Sequence, residues 1–303
     1  MLLFPIKEFQ KEYGEIDDMT KQKIIEFAPD LYISFNNVFF DMPFLECPQI
    51  VYEADTPIYW NGKDKLKNNK TKLFAVFGDD EVQYLNEKLG ISRNRIFKVI
   101  PFTEVCAENK EQNINISFIG TRFGVCRQNE MGYLSEMDSD ARKEYYDCLE
   151  YIINHPSVDK EELIKKNDVK NKKVIDVLDL PGMLNMMSSE KRVRVLSAIV
   201  DLGLNLYGTD SWMYRYHFDS RLNLAYVNQS VFSLQHNQDI YNSSKLSINI
   251  SHYQAKDCFS WRVLDIMASN ACLVTDAWSG VKKFFPEITL PIYKDEHQAR
   301  ICA

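Results

Sequence analysis

Apolar and polar positions along this chain fall into two successive series. Short, nearly continuous apolar runs cover 31–35 (LYISF), 49–53 (QIVYE), 73–77 (LFAVF) and 96–101 (IFKVIP), each bounded by polar residues. Runs of this kind predict strands buried on both faces, as in a parallel sheet. Between the last two, DDEVQYLNEKLG carries apolar residues at 82, 85 and 89 and stops at Gly90, which predicts an amphipathic helix and so a strand–helix–strand unit. A second series starts with INISFIG (114–120) and continues with predicted strands at 204–208, 231–234, 246–250, 271–275 and 289–293. SSEKRVRVLSAIVDLG (188–203) reads as a helix with Ser188 at its N-cap, an apolar stripe at 193, 196, 199 and 200, and a glycine stop. Residues 131–170, rich in Glu, Lys and Asp at helical spacing, read as a helical insertion. The polar passage 103–113 separates the two series. The expectation is an α/β chain of two consecutive parallel-sheet domains, 1–105 and 106–303, with a helical insertion at about 124–187 in the second.

Composition narrows the function classes. A chain of 303 residues, 45% hydrophobic, is long enough for two ordinary cores. The net charge of -7 and a pI of about 5.4 leave no broad basic face for nucleic acid, and the lysines of KDKLKNNKTK (63–72) read as a polar loop. Seven widely spaced cysteines without a CxxC pair fit neither a disulfide framework nor a zinc site, and a reducing, cytoplasmic setting is expected. No apolar run approaches the ~20 residues that span a bilayer.

The candidate chemistry gathers in DCFSWRVLDIMASNACLVTD (257–276). Ser260 is placed to cap a helix whose positions 263, 266 and 267 face the core, with Asn270 taking the left-handed turn that ends it. Free N–H groups at the helix start, the helix dipole and the Arg262 guanidinium suit a diphosphate. Asp265, one turn further in, suits the 2′,3′-diol of a ribose, and Asp257, eight positions earlier, suits sugar hydroxyls. Gly120, Thr121 and Arg122 end a predicted strand and add backbone N–H groups and a cation at the carboxyl edge of a sheet. A solvated cap acid and a surface arginine would give the same letters. Asp55, in EADTP, suits either an acceptor-side base or a turn cap. His252 reads as structural or as a pocket residue, His217 and His236 have no ligand-like spacing, and WMYRYHF (212–218) reads as packing.

The order of DTP (55–57), VFGDDEVQYLNEKLG with IFKVIPF (76–102), ISFIGTR (116–122), LGLNLYG (202–208) and YNSSKLSINIS with KDCFSWRVLDIMASNACLVTD and VKKFF (241–285) resembles the CgeB-like, family-1-like glycosyltransferases. The resemblance implies a GT-B fold, two Rossmann-like domains with parallel sheets facing across a cleft and the donor held mainly by the C-terminal one. It places Asp257 and Asp265 on the two acids of an E-x7-E element, the second at the donor ribose. Arg262 falls on the arginine ahead of that acid, Asn249 on the asparagine of an LN strand end, and Gly120 on the glycine after the first strand of the donor domain. Both acids are one methylene shorter than the family's Glu.

The activity implied by the resemblance is transfer of a sugar from a nucleotide-diphosphate donor, a UDP-sugar first, to a hydroxyl acceptor, in surface glycan or glycoconjugate synthesis. The implied site is catalytic Asp55 and Asp257 with donor-binding Gly120, Thr121, Arg122, Asn249, Ser260, Arg262 and Asp265. No cofactor beyond the donor is implied. Metal-independent transfer is expected because Asp79 and Asp80 are adjacent but open a helix in the other domain. The implied partners are the nucleotide sugar and a glycan, lipid-linked or protein acceptor, with peripheral association at the inner face of the membrane and homo-oligomer formation both compatible. The rival is a non-catalytic sugar-nucleotide- or glycan-binding subunit. A nicotinamide enzyme is disfavoured because no GxGxxG follows a predicted strand.

Overall fold

The structure is a computed structural model that describes residues 17–36, 44–60, 63–123, 132–213, 219–229, 231, 233–256, 258–277 and 280–303. It divides into two compact units, Met1–Ile100 and Pro101–Ala303. In each, the described strands form one wholly parallel sheet.

In the first unit, helix α1 (Asp18–Phe27) starts where the Asp17 carboxylate accepts the Thr20 N–H at 2.9 Å. Strands β1 (Tyr32–Phe35), β2 (Gln49–Glu53), β3 (Lys72–Val76) and β4 (Ile96–Lys98) follow in spatial order β1-β2-β3-β4. Val51, Phe74, Val76, Leu85, Ile91 and Ile96 make the core, which is why the β2 and β3 runs are apolar. The helix predicted over 79–90 is α2 (Asp79–Gln83), continued by a π turn at Tyr84–Lys88 and closed by Gly90 at φ +66°. Its first-turn Asp79 pairs with Lys98 at 2.7 Å. The strand expected over 96–101 ends at Lys98, short of the proline.

The second unit has β5 (Ile114–Ile119), helix α3 (Ser139–Asn154), α4 (Leu180–Ile199), β6 (Leu204–Tyr207), α5 (Leu234–Asn242), β7 (Ser244–Asn249), α6 (Trp261–Ala268), β8 (Cys272–Asp276), β9 (Ile292–Tyr293) and α7 (Glu296–Cys302). Short helices at Lys160–Lys166 and Lys172–Val177 lie between α3 and α4. The strand order is β6-β5-β7-β8-β9, so the chain reverses direction across the sheet between β5 and β7. In open parallel sheets the carboxyl ends at such a reversal bound a crevice. One face of the sheet buries Ile116, Phe118, Leu196, Ile199, Leu206 and Ile248, and the other Ile119, Tyr241, Val263, Ile266 and Leu273.

Three sequence expectations give way here. The helix expected from Ser188 begins eight residues earlier, at Leu180, and Ser188 is buried mid-helix with its Oγ donating to the Leu184 carbonyl at 2.9 Å. The described residues within 231–234 form no strand. Ser233 instead caps α5 by accepting the His236 N–H at 3.2 Å. Asn270 does not turn left-handed: α6 ends at Ser269 in extended backbone, and Asn270 donates its side-chain amide to the Glu108 carbonyl.

Candidate functional site

The carboxyl ends of β5, β7 and β8 carry most of the predicted residues. After β5, Gly120 donates its N–H to the Tyr207 carbonyl at 3.0 Å, and its own carbonyl accepts the Trp212 indole N–H at 2.7 Å. Gly208, at φ +126°, lies so close that a Cβ there would stand 2.5 Å from the Gly120 oxygen. The two glycines therefore keep the strand ends close together and bare of side chains. Trp212 is buried and packs edge-on against Phe118 at 6.1 Å, so this part of WMYRYHF is packing, while 214–218, with His217, lie outside the described residues.

Arg262, in the first turn of α6, turns back across the sheet edge. Its Nε donates to the Ile119 carbonyl at 2.8 Å, its Nη1 to the Asn249 Oδ1 at 3.1 Å, and its guanidinium covers the Phe118 ring at 5.4 Å. Gly120 leaves it room, since a Cβ there would meet Nη2 at 3.2 Å. Asn249, fully buried at the end of β7, holds this orientation. Its amide donates to Thr275 Oγ1 at 2.9 Å and Ser251 Oγ at 3.2 Å, which fixes its oxygen toward Arg262. Ser260 occupies the N-cap position with extended backbone, but its hydroxyl donates to Asn249 Oδ1 at 3.4 Å and caps no helix N–H. The cap expected from its side chain is thus absent.

Asp265 lies one turn further along α6 and is only 8% exposed. Its Oδ1 accepts the Thr103 hydroxyl at 2.5 Å. Burial raises its pKa, opposed by that hydrogen bond and by Arg262. Thr121 joins its hydroxyl to Ser211 at 3.1 Å and Thr209 at 3.0 Å, and the Arg122 N–H donates to Ser211 Oγ at 3.0 Å. Arg122 is buried. Asp55 belongs to the first unit, at the end of β2, where its Oδ2 accepts the Asn36 amide at 3.3 Å and its carbonyl the Trp60 indole N–H at 2.8 Å. Asp257 lies outside the described residues.

The sequence pattern misses two cations that α4 brings to the same edge. Arg192 is 4% exposed, with its guanidinium 4.6 Å from the Phe123 ring centre and 5.8 Å from that of Phe118, and Nη1 donating to the Thr121 carbonyl. Its Nε is buried without a hydrogen-bond partner. Burial, and then the Arg262 charge, push its pKa down to about 9, so it stays charged near neutrality. Its neighbour Lys191, also buried, pairs with Asp276 at the end of β8, donates to the Ser251 carbonyl at 3.0 Å and stands 4.7 Å from the Tyr253 ring centre. Asp276 further accepts the Ser251 hydroxyl at 2.8 Å and N–H at 3.1 Å. A signal was present in the letters: 188, 192, 195 and 199 share one helical face, so Arg192 stands in line with the apolar stripe.

His252 is held at both ring nitrogens. Its Nδ1 accepts the Gln254 N–H at 3.2 Å, so Nε2 carries the proton and donates to Asn185 Oδ1 at 3.0 Å. Burial and the nearby Arg192 and Lys191 lower its pKa from 6.5 to about 3. Between those values the unfolded chain binds a proton that the folded one refuses, so stability falls as the pH drops from 6.5 toward 3. Urea unfolding at pH 7 and pH 5 is expected to show His252→Gln losing about 1–2 kcal/mol less than the wild type over that interval.

A separate cavity of about 740 Å³, lined by Leu134, Arg142, Tyr146, Leu149, Met186 and Glu190 among others, shares none of the residues at the sheet edge. The candidate residues lie at the edge. There, two guanidiniums on different elements, an asparagine hub, two glycines and a carboxylate gather at the carboxyl ends around the β5/β7 reversal. Such an edge suits a polyanion joined to a polyol. Among the described residues no helix is long and apolar enough to cross a membrane.

Residues 190–301 match a family described as glycosyl transferase-like, a span holding Lys191, Arg192, Gly208, Asn249, Ser260, Arg262, Asp265 and Asp276. No curated protein matches the chain. The family match supports glycosyl transfer in general terms, and the two parallel-sheet units agree with a GT-B-like α/β chain.

Proposed function

We propose that the chain is a CgeB-like glycosyltransferase that moves a sugar from a nucleotide-diphosphate donor, a UDP-sugar first, to a hydroxyl acceptor. The observation that carries this reading is Arg192: a guanidinium 4% exposed, its Nε unsatisfied, beside a second guanidinium and, among the described residues, with no carboxylate bonded to it. A buried cation of this kind costs several kcal/mol unless an anion meets it. A diphosphate at the ends of β5 and β7 would supply that anion, and the bare backbone at Gly120 and Gly208 would let it approach closely.

In the proposed reaction the acceptor oxygen bonds to the sugar C1 as the bond from C1 to the diphosphate oxygen breaks. The electron pair leaves on the diphosphate, where Arg192 and Arg262 offset the growing charge. Asn249 keeps Arg262 in place, and Asp265 accepts hydrogen bonds from the ribose diol. Asp55 is the proposed base for the acceptor proton, and Asp257 the proposed contact to the donor sugar. Arginine charge would perform the role that a metal ion performs elsewhere in diphosphate chemistry.

The test is a thermal-shift series with UDP, GDP, CDP and TDP, and NAD as control, followed by assay of the corresponding nucleotide sugars for transfer. One nucleoside diphosphate is expected to raise the melting temperature by mass action, and the rise should disappear in Arg262→Ala. If none of the four shifts the protein, the donor site is wrong. A shift without turnover of any sugar nucleotide would favour the non-catalytic binding subunit.

A further inference from the structure

The stretch from Thr103 to Asn113 opens the second unit as an irregular strap, and side chains of the unit hold it. The Cys106 N–H donates to Gln238 Oε1 at 2.9 Å and the Glu108 N–H to Asn242 Oδ1 at 3.1 Å. The Asn242 amide donates back to the Cys106 carbonyl at 2.9 Å, and Gln112 donates to the carbonyls of Ser244 at 2.8 Å and Asn270 at 2.9 Å. These bonds use neutral amides and carbonyls along α5, β7 and the turn after α6. Lys110 of the strap also pairs with Asp239 of α5, and at the head Thr103 donates its hydroxyl to the Asp265 carboxylate at 2.5 Å, while its Oγ1 accepts the Val105 N–H at 3.0 Å.

We infer that the Thr103 hydroxyl is a built-in occupant of the Asp265 carboxylate, standing where a ribose hydroxyl of the donor binds, so that nucleotide binding displaces it and frees the strap at 103–105. This rests on the donor reading of Asp265. Thr103 is accordingly a positioning residue, acting through Asp265. The physical ground is competition for one nearly buried oxygen. A carboxylate so enclosed has little room for a diol while the threonine covers it, and a hydroxyl bound to a charged acceptor is exchanged for another of the same kind. Once Thr103 turns away, the Val105 N–H loses its acceptor, which couples occupancy of the site to order in the strap.

The experiment measures affinity for the tightest binder among UDP, GDP, CDP and ADP, and for its 2′-deoxy counterpart, in wild type, Thr103→Val, Asp265→Asn and the double variant. Valine keeps the shape of threonine and removes the hydroxyl. The expected result is roughly tenfold tighter binding to Thr103→Val, the size of one hydrogen bond no longer displaced, with the gain absent in the Asp265→Asn background and reduced for the deoxynucleotide. Amide hydrogen exchange supplies a second readout: nucleotide should speed exchange of the Val105 N–H in wild type, and Thr103→Val should show that faster exchange without nucleotide. Unchanged or weaker binding to Thr103→Val, with Asp265→Asn still impaired, overturns the displacement and leaves the donor site standing. Full affinity in Asp265→Asn, or no nucleotide binding to wild type and Thr103→Val alike, overturns both.

Discussion

Replacing Arg192 by methionine is expected to make the nucleotide-free protein more stable and to remove most of its affinity for nucleoside diphosphates. Methionine keeps apolar contact with Phe118 and Phe123 and deletes a charge with a buried, unpartnered Nε. Replacing buried charge by apolar volume is commonly neutral or stabilising by about 1–4 kcal/mol. The lost bond to the Thr121 carbonyl sets against this, so we expect a gain of about 1–2 kcal/mol, or roughly 2–6 °C in melting temperature. Binding should weaken by about 2–3 kcal/mol, on the order of a hundredfold. Differential scanning calorimetry and nucleotide titration on the same preparation read both effects. A melting temperature several degrees lower, with affinity retained, would make Arg192 a structural cation and take the diphosphate proposal with it.

The adjacent position should respond with the opposite sign. Lys191 and Asp276 are both buried and paired, so Asp276→Asn takes the Asp276 charge away from a desolvated ammonium. Breaking one side of such a pair costs about 3–5 kcal/mol. Burial already lowers the Lys191 pKa against the pull of Asp276, and losing the acid removes that pull. Exchanging both residues for apolar ones, Lys191→Met with Asp276→Leu, should recover part of the loss, because the ammonium leaves with the acid, although the Ser251 hydrogen bonds to Asp276 are forfeited and Arg192 loses the pull of that carboxylate. Urea unfolding of Asp276→Asn, of Lys191→Met and Asp276→Leu singly, and of their double variant reads these costs. A cost below about 1 kcal/mol for Asp276→Asn would show that water reaches the pair.

The contrast between these neighbours explains what the amino-acid pattern could convey. Apolar runs located the β2, β3, β5, β7 and β8 strands to within about two residues, because burial on both faces of a parallel sheet leaves few letters to choose from. Gly120 and Arg262 were visible as residues that suit a strand end and a helix start, Asn249 only through the family resemblance, and the three do meet at one edge. Arg192 and Lys191 were passed over, because a charged pair on a helix normally faces water, even though Arg192 stands in line with the apolar stripe. Only the start of α4 at Leu180 and its packing turn that face inward. Ser188 misled in the same way: a serine ahead of a helical stripe is a good cap, yet here eight residues of helix precede it. Ser260 and Asn270 had suitable letters for caps, but tertiary partners, Asn249 and the Glu108 carbonyl, claimed their side chains.

The strand order of the second unit also sets a timetable for its assembly. Strand β5 lies between β6 and β7, so both its neighbours come later in the chain, beginning at Leu204 and Ser244. During synthesis, at about 5–20 residues per second, β5 emerges and waits several seconds before either partner exists. The helices between Ser139 and Ile199 can close on one another in that interval, since their contacts are local. Strand β5 cannot, and its apolar residues Ile116, Phe118 and Ile119 stay unpaired until the polypeptide has grown past β6. The strand that later anchors Arg262 is thus the one that a folding helper, or an aggregating neighbour, would meet first.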